Sequence, residues 1–373
     1  MNEVMAAQAR SGKKNARDNV TRVAIVDDSS MTRWLMQRIL DSDPEIEVIG
    51  SAANAQEARQ LIKQQEPDVI TLDVEMPGMN GIDFLRNLMR LKPMPVVMVS
   101  SLTEKGAAVT LDALSLGAFD VVSKPKSVLS DESLAEYVAL LTGTVKAAGS
   151  ANLASYRAHR ISSSHGSVAE NTVSTADSST PLSSEVVVVG ASTGGTEAIP
   201  TVLAGLPADG PGVVVVQHIS SAFNRPFAQR LNQLLPLTVC SAAHGEPIRC
   251  GHVYVAPADI HLELKAIAGG YACQLTNTRP TAFHRPSVDV LFESAAKVAG
   301  SHAVGVLLTG MGSDGVIGMK MMAEAGAVTI AQNEATSVVW GMPGSAVKAG
   351  AAQIVASLDA IAGFVEAART RAS

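Results

Sequence analysis

Three observations predict an α/β chain of two doubly wound domains. Short β-branched runs alternate with amphipathic helical stretches, the alternation breaks near the middle of the chain, and it then resumes. In the first half the runs are Val23–Val26, Val48–Ser51, Val69–Leu72, Val96–Val99 and Val121–Val122. Between them, Met31–Leu40, Ala55–Gln65, Ile82–Leu91 and Ala107–Leu116 carry apolar residues at helical spacing, and a last amphipathic stretch covers Ser133–Ala148. Alternation of this kind implies a five-stranded parallel sheet with helices on both faces.

From about Ala147 to Ser184 the pattern stops. Ser, Thr, Ala and Asn dominate, which reads as a flexible linker in which Arg157, His159 and Arg160 are solvated. Beyond Glu185, buried strands are predicted at Val186–Val189, Val213–Val216, Val253–Val255, Val304–Leu308 and Ala327–Ala331. Helices are predicted at Thr196–Leu206, Pro226–Leu234, Val288–Val298, Asp314–Glu324 and Leu358–Arg369. His261–Lys265 and Tyr271–Thr276, joined across Gly269-Gly270, read as a small antiparallel hairpin. The expected organisation is an N-terminal extension (1–21), a first domain (22–146), a linker (147–184) and a second domain (185–373).

Composition narrows the function. The chain has 373 residues, 47% hydrophobic and 17% charged, enough for two globular domains. Its net charge of -6 argues against a general nucleic-acid binder. No apolar run is long enough to span a bilayer, and Met1–Asn19 lacks the apolar segment of a secretory signal, so no direct membrane insertion and a cytoplasmic location are expected. Cys240, Cys250 and Cys273 have no metal-type spacing and read as buried, reduced thiols.

Functional residues of an open parallel sheet gather at the carboxyl ends of its strands. In the first domain, Asp27 and Asp28 follow the first strand, Asp73 ends the third, Ser100 ends the fourth, and Lys124 ends the fifth. Clustered carboxylates repel one another unless a cation sits among them, and oxygen-only ligands suit Mg²⁺. One carboxylate can then attack a phosphoryl group while Lys124 neutralises charge and Ser100 donates to a phosphoryl oxygen. The segments VDDSSMTR, LDVEMPGMNGIDFL, VVMVSS and DVVSKPK resemble the signatures of response-regulator receiver domains over about residues 22–140. The resemblance implies that Asp73 is the phosphoacceptor. It also implies that Asp27, Asp28, Asp73 and the backbone carbonyl of Glu75 serve Mg²⁺, and that Ser100 and Lys124 are the switch pair. Many receivers have an aromatic residue where this chain has Val121, so output is expected through the surface of the last strand and helix.

In the second domain, the first strand runs into Gly190-Ala191-Ser192-Thr193-Gly194-Gly195. A dinucleotide-binding turn would need GxGxxG and an acidic residue closing the next strand, whereas that strand ends in Gln217-His218. The alternative is a nucleophile turn, because Gly190–Gly194 matches GxSxG. A serine nucleophile needs a base, and the base needs an orienting acid. His218 follows the neighbouring strand, and Asp314 lies in the Gly-rich turn after Val304–Leu308. Asp314 could instead cap the helix that follows it. His302 is expected at the opposite edge, and His284 is a candidate for substrate contact or for structure.

VVVGASTGGTEAI, VVVVQHI, HRPSVDVLFESAA, GVLLTGMGSDG and residues Gln332–Pro343 resemble the chemotaxis protein-glutamate methylesterase family. The resemblance implies a Rossmann-like catalytic domain that hydrolyses glutamyl methyl esters of chemoreceptors, releases methanol and deamidates receptor glutamines. It makes Ser192 the nucleophile, His218 the base and Asp314 its orienting acid, with the Met311 N–H and groups at Thr193 as the oxyanion site and no cofactor in the esterase domain. It implies methyl-accepting chemotaxis receptors and a chemotaxis histidine kinase as partners. Two rivals are a receiver-linked binding protein without catalysis and an esterase acting on a non-chemotactic signalling protein.

Overall fold

The computed structural model describes residues 20–100, 110–114, 116–124, 131–150, 180–278 and 285–369. In the N-terminal half, β1 (Thr21–Val26), α1 (Ser30–Leu40), β2 (Ile46–Ala52), α2 (Ala55–Gln65), β3 (Val69–Asp73), α3 (Gly81–Leu91), β4 (Val96–Ser100) and β5 (Asp120–Ser123) precede the long helix α4 (Asp131–Ser150). The strands form one parallel sheet in the order β2-β1-β3-β4-β5. Strands β3 and β4 are buried at every position, as strands covered on both faces must be. Helices α1, α2 and α3 begin at Ser29, Asn54 and Asn80, whose side chains accept N–H groups of the first turn. Each such cap stabilises its helix by about 1 kcal/mol. Strand order reverses between β1 and β3, so the crevice at the carboxyl edge opens between those strands, beside Asp27 and Asp73.

In the C-terminal half the order is β6 (Val186–Ala191), α5 (Gly195–Ala204), β7 (Gly212–Gln217), α6 (Ser221–Leu234), β8 (Thr238–Ser241), β9 (His252–Val255), β10 (His261–Ile267), β11 (Gly270–Thr276), α7 (Val288–Val298), β12 (Ala303–Leu307), α8 (Val316–Glu324), β13 (Val328–Gln332), α9 (Met342–Lys348), β14 (Ile354–Ala356) and α10 (Ile361–Arg369). Seven strands form a parallel sheet in the order β14-β13-β12-β6-β7-β9-β8. The predicted hairpin, β10–β11, is a separate two-stranded antiparallel sheet. Two short edge strands, β8 and β14, and the helix α9 add to the predicted elements. The helix expected from Asp314 begins at Val316, because Gly315 adopts φ +95 and breaks the turn before it. The helix expected from Pro226 begins at Ser221. Of the cysteines, Cys273 is buried, whereas Cys240 and Cys250 are partly exposed. Residues 1–19, 107–109, 115, 151–179 and His284 lie outside the described residues.

The helix α4 joins the two halves physically. Leu141, Thr142, Gly143, Thr144 and Val145 are all buried. Five consecutive positions go all the way round a helix, so α4 is covered on every side. One side, with Tyr137, Leu141, Val145 and Ala148, packs on Val23, Ile25, Val97 and Val99 of the first sheet and on Phe119 just before β5. Val338 and Val339 of the C-terminal half pack against the same cluster. The Met311 side chain lies directly over Gly143, in the space that a Cβ there would fill.

Candidate active site and phosphoacceptor pocket

At the first crevice the carboxylates of Asp27, Asp28 and Asp73 come within 4.8 Å of one another. Asp27 and Asp73 are buried, whereas Asp28 is exposed. The Lys124 ammonium sits 2.7 Å from both Asp27 Oδ2 and Asp73 Oδ2. Burial pushes the Asp73 carboxyl up, Lys124 partly offsets this, and the neighbouring Asp27 adds to the rise. Burial alone would pull Lys124 down, but the two carboxylates outweigh it and hold the ammonium above its ordinary range. Three clustered oxygen donors with one cation alongside fit a hard divalent ion. Ser100 is buried at the end of β4 and accepts a hydrogen bond from the Thr110 hydroxyl at 3.1 Å. Glu75 is exposed, and its backbone N–H donates to the Asp73 carboxylate.

At the second crevice, Ser192, His218 and Asp314 follow β6, β7 and β12, which are adjacent at the centre of the seven-stranded sheet. His218 Nε2 lies 2.8 Å from Asp314 Oδ2. With Nε2 committed to the carboxylate, Nδ1 is the ring atom available to serve as a base, the reverse of the arrangement in the serine-protease template.

The Ser192 turn is fixed through its backbone. Ser192 N donates to Thr309 O at 3.0 Å, Gly195 N donates to Ser192 O at 2.8 Å, and His218 N donates to Ala191 O at 3.0 Å. The left-handed conformation falls on Gly194, φ +80, and not on the serine. A Cβ on Gly310 would lie 2.8 Å from Ser192 Cβ, so only glycine lets the Asp314-bearing loop pass this close to the serine.

Asp314 does not cap the helix that follows it. Its carboxylate accepts Ser287 Oγ at 2.8 Å, Val288 N at 2.8 Å and Asp289 N at 3.0 Å, all at the start of α7. Burial pushes the group up, but His218 and these N–H donors outweigh it and hold the carboxyl at about 2. Thr193 is buried, and Met311 is exposed. Both residues also meet the N-terminal half. The Asp120 carboxyl at the start of β5 hydrogen-bonds the Thr193 side chain, and Met311 covers Gly143 of α4. His302 lies before β12, at the edge remote from the serine, as expected.

Sequence reasoning missed Ser287, which holds Asp314, and Gln217. Gln217 Nε2 donates to Ser192 O at 2.8 Å and to His218 O at 3.1 Å, tying the two turns together from a fully buried position. A buried amide directly after a run of four valines at the end of a strand was the available signal.

A serine, an imidazole and a buried carboxylate on three neighbouring strand ends can perform acyl transfer, and the acidic crevice with its lysine can accept a phosphoryl group. Together they define a class, a hydrolase joined to an aspartyl-phosphate module. Comparison with known proteins agrees. The family model described as CheB methylesterase matches residues 187–365, and that described as response regulator receiver domain matches residues 23–136. The chain is 47% identical over 363 residues to the protein-glutamate methylesterase/protein-glutamine glutaminase of Hydrogenovibrio crunogenus, covering 91% of this chain and 96% of that protein. It is 49% identical over 338 residues to the protein of the same description from Paraburkholderia xenovorans, covering 90% and 93%. Among solved structures, the Thermotoga maritima CheB methylesterase catalytic domain is 37% identical, over 48% of this chain and 96% of that one, with a TM-score of 0.48. The chain therefore belongs to the CheB methylesterase family and carries that family's receiver domain.

Replacing Gln217 by Met keeps the volume and removes both hydrogen bonds. We expect a loss of about 1–3 kcal/mol in the unfolding of the C-terminal half, the usual cost of leaving buried polar groups unsatisfied, read by denaturant titration.

Proposed function

We propose that the chain is a phosphorylation-activated serine hydrolase that demethylates glutamyl methyl esters of chemoreceptors and deamidates receptor glutamines, giving adaptation in chemotaxis. The observation that carries this reading is the 2.8 Å contact between His218 and Asp314 at the strand ends flanking Ser192. Ser192 Oγ attacks the ester carbonyl, and His218 takes its proton and returns it to the departing methanol. Water, activated by the same imidazole, then releases the glutamate carboxylate. Asp314 stays ionised throughout and favours the transient imidazolium. Thr193 and the Met311 N–H face the developing oxyanion. Methyl-accepting receptors are the substrates, a chemotaxis histidine kinase is the phosphodonor, and the cytoplasm is the compartment. No described helix is long and apolar enough to cross a membrane.

In the receiver, Asp73 accepts the phosphoryl group. Asp27, Asp28, Asp73 and the Glu75 carbonyl would hold Mg²⁺, which when bound supplies charge neutralisation. Lys124 and Ser100 then move toward the phosphoryl oxygens. Two contacts support control by docking: Asp120 against Thr193, and Gly143 beneath Met311. Both reach the residues assigned to the oxyanion site, so the unphosphorylated receiver closes that site and phosphorylation shifts the population toward an open form.

Ser192→Ala is expected to lower methanol release from methylated receptor membranes by at least about 10⁴-fold while leaving thermal stability nearly unchanged. Near-normal release by the folded variant would remove Ser192 from its role. Phosphorylation from a small-molecule donor is expected to require Mg²⁺ and to fail in Asp73→Asn. An acid-labile, base-labile label persisting on that variant would place the phosphoacceptor elsewhere. A fragment beginning near Glu185 is expected to outpace the unphosphorylated full chain and to ignore a phosphodonor, whereas a slower fragment would rule out occlusion. Burial pushes Asp120 from 3.8 up to about 6, so its protonation favours docking. The advantage of the fragment should accordingly shrink as the pH rises from about 4 to 6, because docking weakens, and level off above that.

A further inference from the structure

Two helix N-termini meet beneath the acid of the candidate triad, and each is capped by an aspartate from the other. Asp314, in the turn before α8, accepts the Val288 and Asp289 N–H groups at the start of α7. Asp289, in the first turn of α7, sends its carboxylate the opposite way. Gly318 N of α8 donates to its Oδ1 at 2.8 Å, and the Gly315 N–H is hydrogen-bonded to it as well. Both aspartates are 3% exposed. The helices touch at Gly318, where a Cβ would lie 2.6 Å from Phe292 Cβ and 2.7 Å from the Asp289 carbonyl oxygen.

We propose that Asp289 is a positioning residue for the hydrolysis, fixing through the Gly315 and Gly318 N–H groups the turn that presents Asp314 to His218. The inference rests on reading Ser192, His218 and Asp314 as the catalytic set. Gly315 is the residue directly after Asp314, so the Asp289 bond acts one peptide from the triad acid. Stability alone does not account for a carboxylate at this position. Burial, with Asp314 and Glu293 adding repulsion, pushes Asp289 up to about 6. A Ser or Asn would cap the helix without that cost, but neither offers two equivalent acceptor oxygens to two N–H donors. Asp289 is thus retained at an electrostatic disadvantage where it can hold the Gly315–Gly318 backbone in register with α7. The Asp314 carboxylate then meets Nε2 without rearrangement during the reaction.

The test uses the full chain treated with a phosphodonor, with Asp289→Asn, Asp289→Leu and Ser192→Ala compared by methanol release from methylated receptor membranes. The values of kcat and KM are taken across a pH series, and thermal melting is followed in parallel. Asp289→Leu removes both acceptors and is expected to lower kcat by about 10- to 100-fold with KM nearly constant, as a displaced catalytic group does. It should also move the acidic limb of the rate profile to lower pH, because an imidazolium less well served by Asp314 loses its proton more readily. Asp289→Asn keeps one acceptor oxygen and should recover most of the rate, to within about fivefold. A folded Asp289→Leu protein with unchanged kcat and acidic limb would overturn the proposal. So would a pair of variants equally slow with neither limb displaced, which is what a purely structural role gives. If Asp289→Leu does not fold, Asp289→Ala, which also removes both acceptors, is measured in its place, and an unchanged kcat and acidic limb there would overturn the proposal. Activity surviving in Ser192→Ala would instead sink the catalytic reading beneath it, a separable result.

Discussion

The C-terminal half is organised around one buried anion. Asp314 sits in a medium where an isolated carboxylate would neutralise itself. It stays charged because Ser287, two backbone N–H groups of α7 and the His218 ring all bond to its two oxygens. The N-terminus of α7 adds its partial positive charge. Charge-assisted bonds of this kind are roughly twice as strong as neutral ones, which explains a carboxyl held at about 2 despite burial. The start of α7, the turn before α8 and the orientation of the imidazole are consequently one arrangement. None can shift without exposing a buried charge.

That arrangement meets the serine because of sheet topology. β12, β6 and β7 are the three central strands, and the turns after their carboxyl ends carry Asp314, Ser192 and His218 in that spatial order. The chain order is serine, histidine, aspartate, so the acid arrives last in sequence while lying on the other side of the serine's strand. Backbone bonds from Ser192 to Thr309 and from His218 to Ala191 set the three turns in register, and the Gln217 amide closes the array from below. The receiver then meets this array at its two softest points, the Thr193 hydroxyl and the exposed Met311 side chain.

Much of this was legible in the sequence. Alternating β-branched runs located the central strands, because strands buried on both faces must be continuously apolar. Asp27, Asp73, Ser192, His218 and Asp314 stood out because polar residues at the ends of such strands have few structural reasons to be there. What stayed hidden depends on long-range contact. The edge strands β8 and β14 are short and only partly buried, so no period marks them. Ser287 and Asp289 sit 27 and 25 residues from Asp314, and nothing local distinguishes their side chains from ordinary helix caps. Gln217 reads as the polar end of a strand until the two carbonyls it bridges are seen. The contact of Asp120 with Thr193 spans both halves, and no one-dimensional pattern encodes it.

The buried Asp314 and Asp73 and the half-buried Asp120 meet the same physical problem with different outcomes. Asp314 is surrounded by fixed N–H donors, so it is ionised and immobile, which suits an acid that must orient a base without taking its proton. Asp73 has the Lys124 ammonium and the Glu75 N–H for partners, and burial still leaves its carboxyl raised. Such compensation can be redistributed if a phosphoryl group and a metal bind, which suits the role of phosphoacceptor proposed for it. Asp120 has only a strand N–H and a hydroxyl for partners, and burial pushes it up to about 6. A carboxyl so poorly compensated holds a docked surface weakly, and a weakly held surface is what a reversible switch requires. A ligand can shift such an equilibrium only by its differential affinity for the two states. Under the proposed docking, an Asp120 compensated as thoroughly as Asp314 would set phosphorylation at the opposite edge of the receiver sheet too deep a well to overcome.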